Sequence, residues 1–180
     1  MSLAVSELTT QRLSMRPIQD EDLENIYHGL SHPRVIKHYG VSYSTLEETK
    51  EQMKWYLQLR ENETGTWWAM EKTDSGEFVG AIGLNDIKKE HRRGEIGFWL
   101  LPEFWGNGYV TESIPAVLAF GFGQLNLHRI EAWVNVGNSA SSKVLNKAGF
   151  NYEGTLIDYE IKNGLPLSIQ VFAKIVDNVV

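Results

Sequence analysis

The stretch EIGFWLLPEFWGNGYVTES, Glu95 to Ser113, joins a strand-like run to a helix-like run through a turn that contains two glycines. The N–H groups at the start of a helix point outward and the helix dipole favours negative charge, so a junction of this kind can bind an anion. Gly106 and Gly108 would let the backbone approach a phosphate with no Cβ in the way. A plain strand-to-helix connector is the alternative for the turn taken alone.

Other phosphate-binding motifs fit this turn less well. No Gly-Lys-Ser/Thr sequence is present, which argues against a nucleoside-triphosphate loop. The third glycine of a dinucleotide fingerprint would fall at Thr111, and no acidic strand end follows at the required distance. The turn therefore indicates a diphosphate group without naming the ligand.

Composition limits the class of protein. The chain has 180 residues, of which 42% are hydrophobic, and no linker-like segment divides it, so we predict one domain over residues 1–180. A net charge of −6 argues against a nucleic-acid partner, and the absence of cysteine excludes thiolate catalysis and Cys-ligated zinc. The histidines show no metal-ligand spacing. No apolar run approaches the ~20 residues of a membrane span, so we expect a cytoplasmic protein with no membrane partner.

Periodicity and turn signals predict a mixed α/β (α+β) sheet in the order β-α-α-β-β-β-α-β-α-β-β. Asp20 is the predicted cap of the first helix, and Leu57 belongs to the predicted buried stripe of the second. Asn163-Gly164 is a strong two-residue hairpin signal. The predicted strands cover residues 12–18, 66–71, 78–85, 95–101, 128–134, 152–162 and 165–175. The third and fourth helices cover 109–122 and 138–149.

A second stretch, NSASSKVLNKAGF, carries an unusual helix face. Asn138 is the predicted cap, and Gly149 is the predicted end of this helix. One face holds positions i, i+3, i+4 and i+7, which are Ser141, Val144, Leu145 and Ala148. A hydroxyl thus points the same way as an apolar stripe, unless Ser141 only bonds the nearby backbone, as most helical serines do.

Together with LNLHRIEAWVNVGNSASSKVLNKAGFNYEG, Leu125 to Gly154, the opening stretch resembles the GCN5-related N-acetyltransferase (GNAT) superfamily. Within it the chain is most similar to the RimJ/RimL-like branch of ribosomal-protein N-terminal acetyltransferases, and the predicted element order matches that fold. The resemblance implies a splayed central strand pair with acetyl-CoA in the gap. The family's Q/R-x-x-G-x-G/A loop falls on 105–110, where Trp105 replaces Gln/Arg and Val110 replaces Gly/Ala.

The same resemblance implies the residues that would bind acetyl-CoA. Backbone amides of the loop would bind the pyrophosphate, and the strand before it would pair with the pantetheine arm like an added strand. Asn138 would bond the pantetheine or the thioester end, and Lys143 would reach a phosphate, with a solvated lysine as the alternative. The implied set is Phe98, Trp99, Leu100, Gly106, Asn107, Gly108, Tyr109, Val110, Thr111, Asn138 and Lys143.

The implied reaction is direct acetyl transfer to an amine, which needs a neutral amine and a proton for the thiolate leaving group. Many family members place a tyrosine on the last helix for that proton. This position is Leu145 here, and Ser141, one turn earlier, is the predicted substitute. Glu95 is the candidate base, with a solvated strand end beside Arg92 and Arg93 as the alternative.

The acceptor side offers one further candidate. Glu160 lies on a strand that borders the acceptor groove in this fold, so it is predicted to receive the ammonium and is a second candidate base. An α-amine has a pKa of about 7.7–8.0 against about 10.4 for lysine, so a site without a strong base favours α-amines. We therefore expect a monomeric or homodimeric enzyme that acetylates the N-terminus of a protein, such as a ribosomal protein, or of a peptide. The alternatives are a small amine (polyamine, amino acid or antibiotic) as acceptor, and an inactive CoA-binding sensor or interaction domain.

Overall fold

A computed structural model describes residues 5–176, which form one eight-stranded mixed sheet in the order β1-β2-β3-β4-β5-β6-β8-β7. The strands are β1 (Leu8–Thr9), β2 (Leu13–Pro17), β3 (Thr66–Lys72), β4 (Phe78–Lys88), β5 (Arg93–Leu100), β6 (Arg129–Asn135), β7 (Asn151–Lys162) and β8 (Leu165–Ile175). The helices are α1 (Leu23–Leu30), α2 (Pro33–Ile36), α3 (Leu46–Glu61), α4 (Tyr109–Ala119), followed by a five-residue π-helix, and α5 (Ser139–Lys147).

The predicted mixed α/β order is confirmed, with two additions. The two-residue β1 and the single-turn α2 are too short to produce a periodic pattern in the sequence. The hairpin turn at Asn163 and Gly164 has positive φ at both residues, 52° and 77°, as such turns require. Gly149, with φ 81°, follows the end of α5 as predicted.

Two local predictions were wrong. Asp20 does not cap α1, because it lies in a 3-10 turn over residues 20–22. Asp22, two residues further on, is buried and bound by both terminal guanidinium nitrogens of Arg16 at 2.8 Å, and α1 begins at Leu23. Leu57 is 46% exposed, because α3 packs through a different stripe. That stripe consists of Thr49, Gln52, Tyr56 and Leu59.

The two central parallel strands separate, as predicted. β5 and β6 pair only from Arg93–Arg129 to Glu95–Glu131, although β5 continues to Leu100 and β6 to Asn135. Beyond Glu95, β5 remains paired with β4 on its other side. One edge of β5 therefore faces a gap in the middle of the sheet.

Helices cover both faces of the sheet. One core packs Ile114 of α4 and Leu145 of α5 against sheet side chains such as Trp68. The other packs α1 and α3 against Trp67 and Trp99. Neighbouring residues of β3 thus enter opposite cores, as the alternation of a strand requires. Within residues 5–176, no helix is long and apolar enough to cross a membrane.

Candidate active site

A cavity of about 1020 Å³ opens where β5 and β6 separate. The glycine turn and the starts of α4 and α5 line one part of it, and the segment after α2 lines another. Of the predicted site residues, Glu95, Phe98, Trp99, Leu100, Gly106, Gly108, Tyr109, Val110, Thr111, Asn138, Ser141 and Glu160 line this cavity. Asn107 and Lys143 are not among its lining residues.

The glycine turn presents unpaired backbone donors. Gly106 and Gly108 have φ of 78° and 79°, and Gly108 is the N-cap of α4. The first backbone hydrogen bond of α4 runs from Glu112 N–H to the Gly108 carbonyl oxygen at 3.0 Å. No group in residues 5–176 accepts a hydrogen bond from the N–H groups of 106–111, so these donors are free for an anion.

Side chains from distant parts of the chain support this turn. Arg12 Nη2 donates to the Asn107 carbonyl oxygen at 3.0 Å, and Arg12 Nε donates to Glu112 at 2.7 Å. The Asn107 amide bonds carbonyl groups of the turn itself, so its side chain is not directed at a ligand. Sequence reasoning missed Arg12 because it lies 95 positions before Asn107.

The two departures from the family loop are accommodated by packing. The Trp105 indole N–H donates to the Leu100 carbonyl oxygen at 2.9 Å, and the Arg34 guanidinium lies over its ring at 4.6 Å. The Trp105 side chain therefore packs at the end of β5 and binds the carbonyl group of its last residue. The Val110 side chain is 9% exposed and belongs to the core, so its bulk is directed mainly away from the turn.

The start of α5 brings a free hydroxyl to the cavity. Asn138 Oδ1 accepts the Ser141 N–H at 3.2 Å, which confirms the predicted cap. Leu145 is fully buried below it. No group in residues 5–176 hydrogen-bonds the Ser141 hydroxyl, whereas the neighbouring Ser142 hydroxyl bonds the backbone of Asn138 at 3.3 Å. Lys143 is exposed on α5 and Lys147 lines the cavity instead, so phosphate binding by Lys143 stays a prediction.

Glu95 is a desolvated carboxyl group at the point where the gap begins. Burial, with the negative charges of Asp86, Glu131 and Glu160 nearby, raises the pKa of Glu95 to about 7. Arg93 contacts Asp86 at 3.3 Å and Glu131 at 3.8 Å, and it offsets only part of this effect. A carboxyl group with this pKa is half ionised at neutral pH, as a general base requires.

The alternative for Glu95 was a solvated strand end beside Arg92 and Arg93, but the Arg92 side chain binds another part of the chain. Its guanidinium donates to the carbonyl oxygen of Asn126 at 2.8 Å. The solvated strand end is therefore not what the structure shows for Glu95.

Glu160 lies at the rim of the cavity. β7 carries extra residues between Leu156 and Glu160, where Asp158 has φ 49° and donates its N–H to Ser168 Oγ at 3.0 Å. Glu160 pairs with Leu167 after this bulge and is exposed. It faces the same cavity as Glu95, and its charge contributes to the raised pKa of Glu95.

The cavity wall next to Glu95 is aromatic, and Trp67, one of two adjacent tryptophans on β3, forms part of it. Trp67 on β3 is in register with Gly83, and Gly83 is in register with Gly97 on β5. A Cβ at Gly83 would lie 2.2 Å from the Trp67 ring, and a Cβ at Gly97 would lie 2.8 Å from it. The indole thus lies flat across two strands, and Trp55 packs against it at 6.0 Å. Glycines on two neighbouring strands, opposite a tryptophan, are the sequence signal for an indole that lies across those strands.

The family follows from sequence comparison. The profile of the acetyltransferase (GNAT) domain matches residues 12–151. The chain belongs to the GNAT acetyltransferase family. The uncharacterized N-acetyltransferase YoaA of Bacillus subtilis is 36% identical to this GNAT chain over 167 residues, which are 92% of the chain and 94% of YoaA.

Solved structures share the fold of this GNAT chain at low identity. RimL, a ribosomal L7/L12 α-N-protein acetyltransferase solved in complex with coenzyme A, aligns with a TM-score of 0.86 and 20% identity, over 96% of this chain and 99% of RimL. A spermidine N-acetyltransferase from Vibrio cholerae, in complex with CoA and spermine, aligns with a TM-score of 0.81 and 23% identity, over 91% and 95% of the two chains. The predicted family and fold are confirmed.

Proposed function

We propose that this GNAT protein transfers the acetyl group of acetyl-CoA directly to a primary amine, and that the acceptor is the N-terminal α-amine of a protein or peptide, a ribosomal protein being one candidate. The observation that carries the acceptor assignment is the Glu95 carboxyl group with a pKa of about 7 in the cavity. Family membership supports the reaction class.

Free main-chain groups support acetyl-CoA as the donor. The unpaired N–H groups of 106–111 at the start of α4 suit a pyrophosphate, since the helix dipole adds to their attraction for anions. The edge of β5 at Phe98, Trp99 and Leu100 faces the gap and can pair with the amide groups of a pantetheine arm. RimL and the spermidine acetyltransferase were both solved with CoA.

The pKa of Glu95 discriminates between acceptors. The pKa of Glu95 lies about one unit below that of an α-ammonium, so this ammonium transfers its proton to Glu95 at a cost on the order of 1 kcal/mol. A lysine ammonium of pKa about 10.4 would cost several times more. Glu95 is therefore matched to an α-amine, with Glu160 at the rim to attract the incoming cation.

The remaining steps use the start of α5. Once the neutral amine attacks the thioester carbonyl, the new C–N bond forms and the C–S bond breaks, and the proton that the attacking nitrogen loses neutralises the thiolate, so the products are an amide and the free CoA thiol. The unpaired Ser141 hydroxyl lines the cavity and would donate a hydrogen bond to the sulfur. Asn138, as the cap of α5, fixes the orientation of this turn of helix.

A small polyamine is the second candidate acceptor. Glu51, Glu95 and Glu160 bring three carboxyl groups to the cavity, beside the aromatic wall formed by Trp67 and Trp55. Burial and the nearby lysines lower the pKa of His38 below its ordinary value, so at neutral pH this imidazole adds little positive charge. The Vibrio cholerae relative bound to spermine shows that the fold accommodates such a ligand.

One experiment separates these functions. The purified protein is incubated with acetyl-CoA and one of three acceptors: peptides with a free N-terminus, the same peptides with a blocked N-terminus and an internal lysine, and spermidine. Mass spectrometry locates the acetyl group. We expect acetylation of free N-termini only. Acetylation of spermidine alone would establish the second candidate, and CoA binding without any turnover would favour the inactive sensor.

The sequence makes three further predictions about the whole protein. These are a cytoplasmic location, one domain over residues 1–180, and a monomer or homodimer. Light scattering of the purified protein tests the oligomeric state.

A further inference from the structure

The Lys162 side chain joins the end of β7 to the segment that follows α2. Its Nζ donates to the carbonyl oxygens of Ile36 at 2.6 Å, Lys37 at 3.2 Å and Tyr39 at 2.8 Å. These three acceptors lie 123 to 126 positions earlier in the chain. One ammonium group therefore uses all three of its donors on a single short segment.

A second strand binds the same segment. Asn135, the last residue of β6, donates from Nδ2 to the His38 carbonyl oxygen at 3.3 Å. Between them, Lys162 and Asn135 bind the carbonyl groups of Ile36, Lys37, His38 and Tyr39. We refer to this arrangement of residues 36–39, Asn135 and Lys162 as the clasp.

Lys162 lies where its ammonium group can hold the end of a strand against the end of a helix. It precedes the Asn163-Gly164 turn at the tip of the β7–β8 hairpin, where backbone pairing alone would leave the strand end free to move. The carbonyl groups that it binds begin at Ile36, the last residue of α2, where a helix terminus leaves acceptors without intrahelical partners and favours cations. The Lys162 side chain thus joins the hairpin tip to the segment after α2.

The clasp lies at the acceptor end of the cavity. His38 and Tyr39 line the cavity together with Asn135 and Glu95. Glu160 is two positions before Lys162, so the two side chains share a face of β7. The glycine turn that faces the proposed CoA site contributes no member of the clasp.

We propose that Lys162, with Asn135, is a positioning and specificity-determining residue that closes the acceptor pocket by binding residues 36–39 to the β7–β8 hairpin. This inference rests on the proposed acetyltransferase reaction. It implies that loss of the clasp weakens acceptor binding and admits larger acceptors, while the CoA half of the cavity keeps its shape.

Steady-state kinetics of Lys162→Met test this inference. We expect the KM for the amine acceptor to rise about 5- to 20-fold, with the KM for acetyl-CoA within twofold of the parent value. Lys162→Arg should recover part of the loss, because a guanidinium retains charge and donors. Asn135→Leu should act in the same direction, and the double variant should show less than the product of the single effects, since both side chains hold one segment.

Lys174→Met is the matched control. Lys174 Nζ also donates to a backbone carbonyl oxygen, that of Ala148 at 2.7 Å, but away from the clasp. Lys174→Met should lower the melting temperature without changing the KM for the acceptor. If Lys162→Met left the acceptor KM unchanged, or raised both KM values equally, the clasp would have no role in acceptor binding.

Hydrogen exchange separates the clasp from the reaction itself. Backbone exchange around residues 36–43 should accelerate in Lys162→Met and not in Lys174→Met, whether or not the protein turns over the acceptors tried. Absence of turnover by the parent protein with accelerated exchange in the variant would refute the proposed function and leave the clasp intact. Unchanged exchange would refute the clasp.

Discussion

Glu95 of β5 and Glu131 of β6 form the last register pair before the two parallel strands separate. The carboxyl group of Glu95 is therefore fixed by the paired part of the sheet and borders the gap that follows. Burial of this carboxyl group raises its pKa to about 7, and the negative charges of Asp86, Glu131 and Glu160 add to the effect. The proposed base thus lies where the two strands begin to separate and has a raised proton affinity.

Glu95→Gln should remove the base. Because proton acceptance in the transition state contributes about 10²- to 10⁴-fold, kcat should fall by that range while CoA affinity is retained. In the parent protein the ionised carboxylate is the active form, so kcat should rise with pH up to about 7 and level off above it. The pH profile of kcat checks this. If kcat of Glu95→Gln still rose with pH up to about 7, that pH dependence would belong to another group.

Glu95→Gln should also change stability, with a sign set by the raised pKa. Between pH 4.5 and 7 the folded state binds more protons at Glu95 than the unfolded state, so this group makes stability fall as pH rises. Above pH 7 the full cost of burying the carboxylate is present, about 3 kcal/mol. Thermal melts should show the variant more stable than the parent at pH 8 and nearly equal at pH 4.5. Equal melting temperatures at both pH values would contradict the desolvation of Glu95.

Ser141→Ala should lower kcat by about 10- to 10³-fold with CoA binding retained, since the only group lost is a hydroxyl that faces the cavity. Ser142→Ala is the matched control. Its hydroxyl bonds Asn138 and Gln170 and does not line the cavity, so kcat should be nearly unchanged. Normal turnover by Ser141→Ala would remove this residue from the mechanism.

Features with a local chemical cause could be predicted from the sequence. Asn138 caps α5 because its side chain reaches an N–H three residues ahead, and Asn163-Gly164 turns because both residues tolerate positive φ. Such signals locate the two ends of the site, which are the start of α5 and the β7–β8 hairpin. The raised pKa of Glu95 could not be predicted from such signals, because it depends on burial in the fold and on the charges of Asp86, Glu131 and Glu160.

Features that depend on distant pairs could not be predicted. Asp20 looked like a cap, but Arg16 binds Asp22 and moves the start of the helix. Arg12 supports the glycine turn from 95 positions away. Lys162 reaches carbonyl groups near position 36 that no local pattern connects to it. The contacts of Arg12 and Lys162 exist only once the fold has brought distant segments together, and the Arg16–Asp22 pair forms across the turn that joins β2 to α1.

Asn138→Ala should destabilise the protein by about 1 kcal/mol, because the N–H of Ser141 loses its acceptor. For a chain of 180 residues this corresponds to a fall in melting temperature of about 2–4 °C. Asn138→Ser should restore most of the stability, since serine also caps helices. If the Asn138 amide binds the pantetheine arm as predicted, CoA affinity should stay reduced in the serine variant. Calorimetric titration measures this CoA affinity. If the serine variant bound CoA as tightly as the parent protein, Asn138 would act only as a helix cap.

Gly108→Val should weaken CoA binding by at least tenfold, because a branched side chain would stand at the head of α4, beside the free N–H groups of 106–111. Valine also strains a backbone with φ 79°, at a cost of about 1–3 kcal/mol, so stability falls as well. Gly76→Val separates the two effects. Gly76 has φ 72° in the turn between β3 and β4, away from the cavity, and its substitution should cost similar stability with unchanged CoA affinity. Equal CoA affinity of both valine variants, measured by titration at a temperature where both are folded, would mean that the glycine turn does not hold the diphosphate.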